Sequence, residues 1–239
     1  MEKGQLLYEG KAKRIFATEK LDELLVSYKD SATAFNGEKK AEISGKGRLN
    51  NEISSMLFTV LKEKGIESHF IKRLSETEQL VKKVTIVPLE VVVRNLVAGS
   101  LAKRLGIEEG TLAPQPIIEF YYKDDALGDP LINDAHIAFL KAASEEQVEE
   151  MKKAALAINE VLLNHFKQLG IRLVDFKLEF GLTNKGELLL ADEISPDTCR
   201  LWDLKSNEKF DKDVFRRNLG SLTDAYKEIL NRLGGKRNV

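Results

Sequence analysis

Ile171-Arg172-Leu173-Val174-Asp175-Phe176-Lys177-Leu178-Glu179-Phe180-Gly181-Leu182 alternates: Val174, Phe176, Leu178 and Phe180 are apolar, and Asp175, Lys177 and Glu179 stand between them. Side chains on a strand point to opposite faces in turn, so the pattern predicts one buried face and one face lined by three charges. Asn184-Lys185-Gly186 then supplies turn chemistry, and Glu187 to Ile194 resumes an apolar run carrying Ala191-Asp192-Glu193. An antiparallel hairpin follows from that order. With Lys185 and Gly186 as its loop, Glu179 is expected directly opposite Asp192. Opposed side chains lie about 5 Å apart at Cβ, and two carboxylates that close repel each other unless a cation lies between them. A divalent metal held by Glu179 and Asp192 is the expected cation.

Outward from this hairpin, short apolar runs at Gln5 to Tyr8, Arg14 to Ala17 and Leu24 to Tyr28 predict a small antiparallel sheet. Asn50 to Lys64 carries Ile53, Met56, Leu57, Val60 and Leu61 at helical spacing, with Gly65 as its stop. Val87, Leu89, Val91 and Val93 alternate with Glu90, Val92 and Arg94, a second strand with a polar edge. Ser144 to Gly170 is the longest helical stretch: Ser144 with Gln147 reads as a capping box, and Val148, Met151, Ala155, Ile158, Leu162, Phe166 and Leu169 form its packing stripe. A last helix is expected from Leu222 to Leu233, before Gly234-Gly235 and a basic tail. The expected fold is α+β, with a small antiparallel lobe over residues 1–84 and a larger lobe over residues 85–239.

A chain of 239 residues can bury a substantial core as one large domain or two small ones. Lys plus Arg total 37 and Asp plus Glu 38, so no global field recruits nucleic acid or a membrane, and any anion site must be local. Cys199 is the only cysteine, which excludes an intrachain disulfide and a multi-cysteine zinc site. His69, His136 and His165 are scattered without a ligand pattern, and none reads as a catalytic base. The charged N-terminus and the lack of any apolar run near about 18 residues point to a soluble, cytoplasmic protein.

Four stretches carry possible chemistry. Tyr8-Glu9-Gly10-Lys11-Ala12-Lys13-Arg14 sets a glycine and three cations between two strands, a turn able to cover a polyphosphate; a solvated basic hairpin is the alternative. Asp175, Lys177 and Glu179, joined with Asp192 and Glu193, offer carboxylates for Mg²⁺ and a cation for a transferred phosphoryl group; a solvent-facing ladder of salt bridges is the alternative. Arg94 to Ser100 ends a strand in small residues before a short helix from Leu101, which suits a phosphate monoester, unless Ser100 is simply the helix N-cap. Arg200 would join that anion site. Lys123-Asp124-Asp125 with Asp129-Pro130 is an acidic loop around one lysine, adequately explained by turn formation.

Val87-Pro88-Leu89-Glu90-Val91-Val92-Val93-Arg94 through Ala98-Gly99-Ser100, together with Leu173 to Gly181, resembles the phosphoribosylaminoimidazole-succinocarboxamide synthase, or SAICAR synthetase, family in its bacterial type. Tyr8 to Lys11, Lys46-Gly47-Arg48, Arg104-Leu105-Gly106 and Asp192 to Asp197 are similar to the same family in the same order, so the resemblance spans nearly the whole chain. Asn36-Gly37 departs from the family's Asp-Gly. The resemblance implies a small kinase-like lobe with a phosphate-binding turn over a larger ATP-grasp-like domain. It also implies an ATP-dependent ligase that joins L-aspartate to the carboxylate of 5-amino-1-(5-phosphoribosyl)imidazole-4-carboxylate (CAIR) through an acyl phosphate. The products are SAICAR, ADP and phosphate, in purine biosynthesis. In that reading Lys11, Ala12, Lys13, Glu90 and Lys123 meet ATP, and Glu179 and Asp192 hold Mg²⁺. Lys177 and Asp175 serve the chemistry, and Arg94, Ser100 and Arg200 grip CAIR. A homodimer that binds neither nucleic acid nor membrane is implied. Two rivals stay open at this level: a phosphotransferase with a hydroxyl acceptor, and a nucleotide sensor without turnover.

Overall fold

The computed structural model describes residues 3–34 and 38–234, so Asn36-Gly37 and the basic tail lie outside the described residues. In chain order the first elements are β1 (Leu6–Glu9), β2 (Lys13–Ala17), β3 (Glu23–Tyr28), β4 (Ser31–Ala34), β5 (Lys39–Glu42), α1 (Lys46–Glu63), β6 (Phe70–Arg73) and β7 (Glu78–Lys82). There follow β8 (Thr85–Leu96), α2 (Gly99–Leu105), β9 (Leu112–Tyr122), β10 (Leu131–Ile132), α3 (Asp134–Leu140), α4 (Glu145–Gln168) and β11 (Ile171–Leu182). The chain closes with β12 (Leu188–Ala191), β13 (Cys199–Asp203), α5 (Asp213–Arg216) and α6 (Leu222–Arg232).

Among the described residues there are two large antiparallel sheets and a two-stranded one, β4 with β5. The first has the order β1-β2-β3-β7-β6 and draws only on strands before residue 84; the second has the order β10-β9-β8-β11-β12, with β13 also paired to β11. The apolar core runs across that division. Leu49, Ile53, Leu57 and Leu61 of α1 share one buried cluster with Val91, Phe176, Leu178 and Phe180, and α1 packs on α6 as well as on β6.

Helix α1 begins before its apolar stripe does because its N-terminus is capped from a distance. The Asp30 carboxylate accepts from the Gly45 N–H at 3.0 Å and the Gly47 N–H at 2.8 Å, meeting donors that no local side chain reaches. In α4 the cap is local: Ser144 Oγ accepts from the Gln147 N–H, and Gln147 Oε1 accepts from the Ser144 N–H.

The hairpin register differs from the one the sequence suggested. Thr183 pairs with Glu187, through the Thr183 N–H and the Glu187 carbonyl at 2.9 Å, and the loop is Asn184-Lys185-Gly186 with Gly186 at φ 80°. A loop longer by one residue, closed by a left-handed glycine, shifts the ladder by one. Glu179 therefore faces Ala191, and Asp192 lies one residue past the strand at φ 59°. A bulge between Leu173 and Asp175 also turns Val174 out of the main core, into a small cluster with Leu96, Ala98 and Trp202. Strand β9 carries Pro114 and Pro116, which hid it from the sequence pattern. β10 pairs only with Phe120 and Tyr121, so the prolines occupy an edge that needs no donor.

Candidate active site

β12 and β13 share one edge of β11, along residues 179–182 and 171–176 respectively. Between them the chain leaves the sheet as residues 192–198, opening a notch beside Lys177, whose N–H donates to the Thr198 carbonyl at 2.8 Å. This excursion, the polar faces of β8, β9 and β11, and the first sheet enclose a cleft of about 1200 Å³. Every candidate residue from the sequence, Lys11 through Arg200, borders it. Arg14 does not: it pairs with Glu9 on the exposed side of the first hairpin.

One end of the site is built around Lys177. Its ammonium lies 2.5 Å from Glu179, 3.1 Å from Glu90 and 3.5 Å from Asp192. The sheet register sets Glu179 directly opposite Glu90, a like-charge pair that is tolerable only because Lys177 donates to both. The second oxygen of Glu179 takes Lys123, and the second oxygen of Asp192 takes Lys13, which also meets Glu193 at 3.0 Å. Lys13 reaches from β2, so this ion pair ties the first sheet to the hairpin. Lys11 pairs with Asp125 at 2.8 Å across the same opening.

Burial opposes charge on Asp192, but Lys13 and Lys177 outweigh it and hold the carboxyl well below the usual range. Burial likewise opposes charge on Lys177, and Glu179, Asp192 and Glu90 push its ammonium well above the usual value. Both groups stay ionised at neutral pH, which suits electrostatic stabilisation rather than proton transfer. Among the described residues no group of three or more His, Cys, Asp or Glu forms a ready-made cage for a metal. Glu179 and Asp192 nonetheless fit a hard divalent cation, because such an ion takes one or two carboxylates and completes its shell with phosphate oxygens and water.

The other end is an arginine pair. Arg94 is buried; its Nε donates to Glu119 at 2.7 Å, Nη1 to Asp175 at 2.8 Å, and Nη2 to Ser100 Oγ and the Tyr121 hydroxyl, each at 3.1 Å. Asp175 also accepts from Arg200 Nη1 at 2.9 and 3.1 Å, while Arg200 Nε donates to Asp213 at 3.0 Å. Both Asp175 oxygens are thus engaged, and the residue clamps two guanidinium groups side by side. Arg200 Nη2 lies where a side chain on Gly99 would be, 2.3 Å from an added Cβ. Ser100 is not a helix cap: α2 is capped at Ala98 without a side-chain bond, and the Ser100 hydroxyl accepts from Arg94 and Arg104.

Glu119, Tyr121 and Asp213 were not singled out from the sequence. Glu119 and Tyr121 alternate with the buried Phe120, a period-two signal masked by the nearby prolines, whereas nothing local marks Asp213. His69 also borders the cleft, its Nε2 3.1 Å from the Asp192 carbonyl. Burial, reinforced by Lys13, pushes its pKa down to about 4, so it is neutral at pH 7 and a poor proton acceptor. Burial pushes the Cys199 thiol up, away from nucleophile character.

Residues 6–233 match the family model described as SAICAR synthetase. The chain belongs to the SAICAR synthetase family. It is 67% identical over 239 residues to the phosphoribosylaminoimidazole-succinocarboxamide synthase of Bacillus cereus (strain AH187), with all of both chains covered. The crystal structure of the synthase of that name from Ehrlichia chaffeensis is similar at a TM-score of 0.95 and 50% identity, covering 98% of this chain and 100% of that one. A SAICAR synthetase of type 2 in complex with ADP is similar at a TM-score of 0.94 and 49% identity, covering 97% and 99%. The two-lobed α+β architecture is the family's, and among the described residues no helix is long and apolar enough to cross a membrane.

Proposed function

We propose that this chain is an ATP-dependent ligase that joins the amine of L-aspartate to the carboxylate of CAIR, giving SAICAR, ADP and phosphate in purine biosynthesis. One observation carries the reading: a single cleft holds both the carboxylate cluster around Lys177 and the arginine pair clamped by Asp175. The first suits a transferring phosphoryl group and the second an anionic ribonucleotide. Ile15, Leu24, Val84 and Ile86 line the cleft as well and offer apolar contact to a purine base. The ADP complex of a relative 49% identical supports nucleotide in this fold.

A carboxylate is a poor electrophile with no usable leaving group, so it must be activated. A carboxylate oxygen of CAIR attacks the γ-phosphorus of ATP, the bond to ADP breaks, and an acyl phosphate forms. The neutral aspartate amine then attacks the acyl carbon, a C–N bond forms, phosphate departs with the carboxylate oxygen, and the amine proton is released. Glu179 and Asp192 would hold Mg²⁺, which would supply charge neutralisation for the nucleotide phosphates. Lys11 and Lys13 screen those phosphates, with Ala12 carrying the turn backbone between them, and Lys123 and Glu90 hold the remaining charges of the cluster in balance. Lys177 orients the attacking carboxylate or stabilises the transferring phosphoryl group. Arg94, Ser100 and Arg200 grip the ribonucleotide phosphate, and Asp175 keeps the two arginines in register. The division near residue 84 then separates a phosphate-covering lobe from a catalytic one, and the protein works in the cytoplasm as a homodimer.

ADP release measured with each substrate omitted in turn tests the reading. Steady ADP formation is expected only with ATP, CAIR and L-aspartate together. Steady release without L-aspartate, leaving a stable phosphorylated metabolite, would make the protein a phosphotransferase instead.

A further inference from the structure

His69 stands between the two larger sheets and is fastened to both. It lies just before β6, where its N–H donates to the Leu190 carbonyl of β12 at 2.8 Å and its carbonyl accepts from the Lys82 N–H of β7 at 2.6 Å. Ser68 and Leu190 form a parallel bridge beside it. The side chain reaches two residues further along, past the end of β12, and its Nε2 lies 3.1 Å from the Asp192 carbonyl. A carbonyl oxygen only accepts, so the imidazole carries its proton on Nε2 and donates it.

That carbonyl belongs to a residue held in a sparsely populated conformation. Asp192 has φ 59°, in the left-handed region that a residue with a side chain keeps only where its surroundings hold it. Its carboxylate is engaged by Lys13 and lies 3.5 Å from Lys177, so any turn of this backbone carries the carboxylate out of the cation cluster. Among the described residues no other donor meets the Asp192 carbonyl. His69 is itself buried, with its ring edge-on to Phe58 at 5.5 Å between centroids. Removing the imidazole N–H therefore leaves a carbonyl without a partner in a place that water reaches poorly.

We infer that His69 is a positioning residue for Asp192, a role that rests on the reading of Asp192 as a metal-holding carboxylate. Its Nε2–H pins the Asp192 carbonyl, keeps the backbone in the left-handed region and so aims the carboxylate into the cleft. The hold comes from the segment leading into the first sheet, so the placement of Asp192 depends on the two sheets being joined. His69 acts through Asp192 and moves no proton.

Calorimetric titration with ADP, in excess Mg²⁺ and in EDTA, tests the assignment on wild type, His69→Phe and His69→Gln. Phenylalanine keeps a ring against Phe58 and removes the donor; glutamine supplies an N–H at similar reach. Wild type is expected to bind ADP more tightly with Mg²⁺ than with EDTA. In His69→Phe the affinity with Mg²⁺ is expected to fall about tenfold or more while the affinity in EDTA moves less than about twofold, and His69→Gln is expected to recover most of the loss. Equal weakening with and without Mg²⁺, the mark of a general loosening of the fold, overturns the positioning role. An unmoved His69→Phe, or a glutamine variant as weak as the phenylalanine one, does the same. If His69→Phe does not fold, the ¹⁵N shifts of the wild-type imidazole decide: a proton on Nε2 at pH 7 is expected, and one on Nδ1 overturns the role. A wild type whose ADP affinity ignores Mg²⁺ refutes the metal reading of Asp192 and this role with it; a responsive wild type with unmoved variants refutes only the role of His69.

Discussion

Glu179 and Glu90 face each other across β11 and β8, and Lys177 makes that arrangement stable in the free protein. Glu179→Gln keeps the shape and removes the charge, leaving Lys177 and Lys123 with weaker partners. Its kcat is expected to fall by about 100-fold or more, with little change in the melting temperature; activity within a few-fold of wild type would remove Glu179 from the metal pair. Asp211 makes a prediction of a different kind. Burial, followed by Asp213, pushes its carboxyl up to about 7 from 3.8, while it accepts from the Leu201 and Asp213 N–H groups. A group whose folded pKa is raised is fully stabilising below its unfolded pKa and loses that contribution as pH rises through the folded one. Wild-type stability therefore carries a loss from Asp211 between about pH 4 and pH 7, on the order of 4 kcal/mol. Asp211→Asn abolishes this slope. In urea unfolding at fixed pH, the variant is expected to gain on the wild type steadily from pH 4 to 7, and parallel curves would contradict the shift.

The β11 element shows what a sequence reveals and what it hides. Period two identified the charged face of Asp175, Lys177 and Glu179, because alternation is a property of one strand alone. The partners of those charges come from elsewhere: Glu90 and Arg94 from β8, Lys123 from the segment after β9, Arg200 from β13. No local pattern links residues so far apart, so the role of Asp175 as a clamp between arginines was not legible. The hairpin register was missed for a smaller reason, one extra loop residue closed by Gly186. The start of α1 was missed because Asp30, its cap, lies on another segment. Gly99 is where element geometry meets the site. At φ 54° and with Arg200 against it, Gly99→Ala strains the backbone and displaces the guanidinium. The KM for CAIR is expected to rise at least about tenfold while that for ATP stays within about twofold. Equal rises for both would move Arg200 out of the ribonucleotide grip.

Across the whole molecule, strand membership divides at residue 84 but burial does not. α1, before the division, packs on α6 and shares its apolar cluster with β8 and β11. Lys13 with Asp192, and His69 with the Asp192 carbonyl, bind the lobes at the cleft itself. Such a shared core predicts one cooperative unfolding transition, with near- and far-ultraviolet circular dichroism giving coincident midpoints; two separated transitions would show independent lobes. The α+β class and the order of most elements could be read from apolar periodicity, since the core is built from long, regular stripes. The cleft could not, since it exists only once the two larger sheets face each other and bring the turn carrying Lys11 and Lys13 to the Lys177 cluster. That meeting has a chemical signature in the fate of one oxygen atom. With ¹⁸O placed in the carboxylate of CAIR, turnover with ATP and L-aspartate is expected to deliver one labelled oxygen to each phosphate released; phosphate free of label would contradict activation through an acyl phosphate in this cleft.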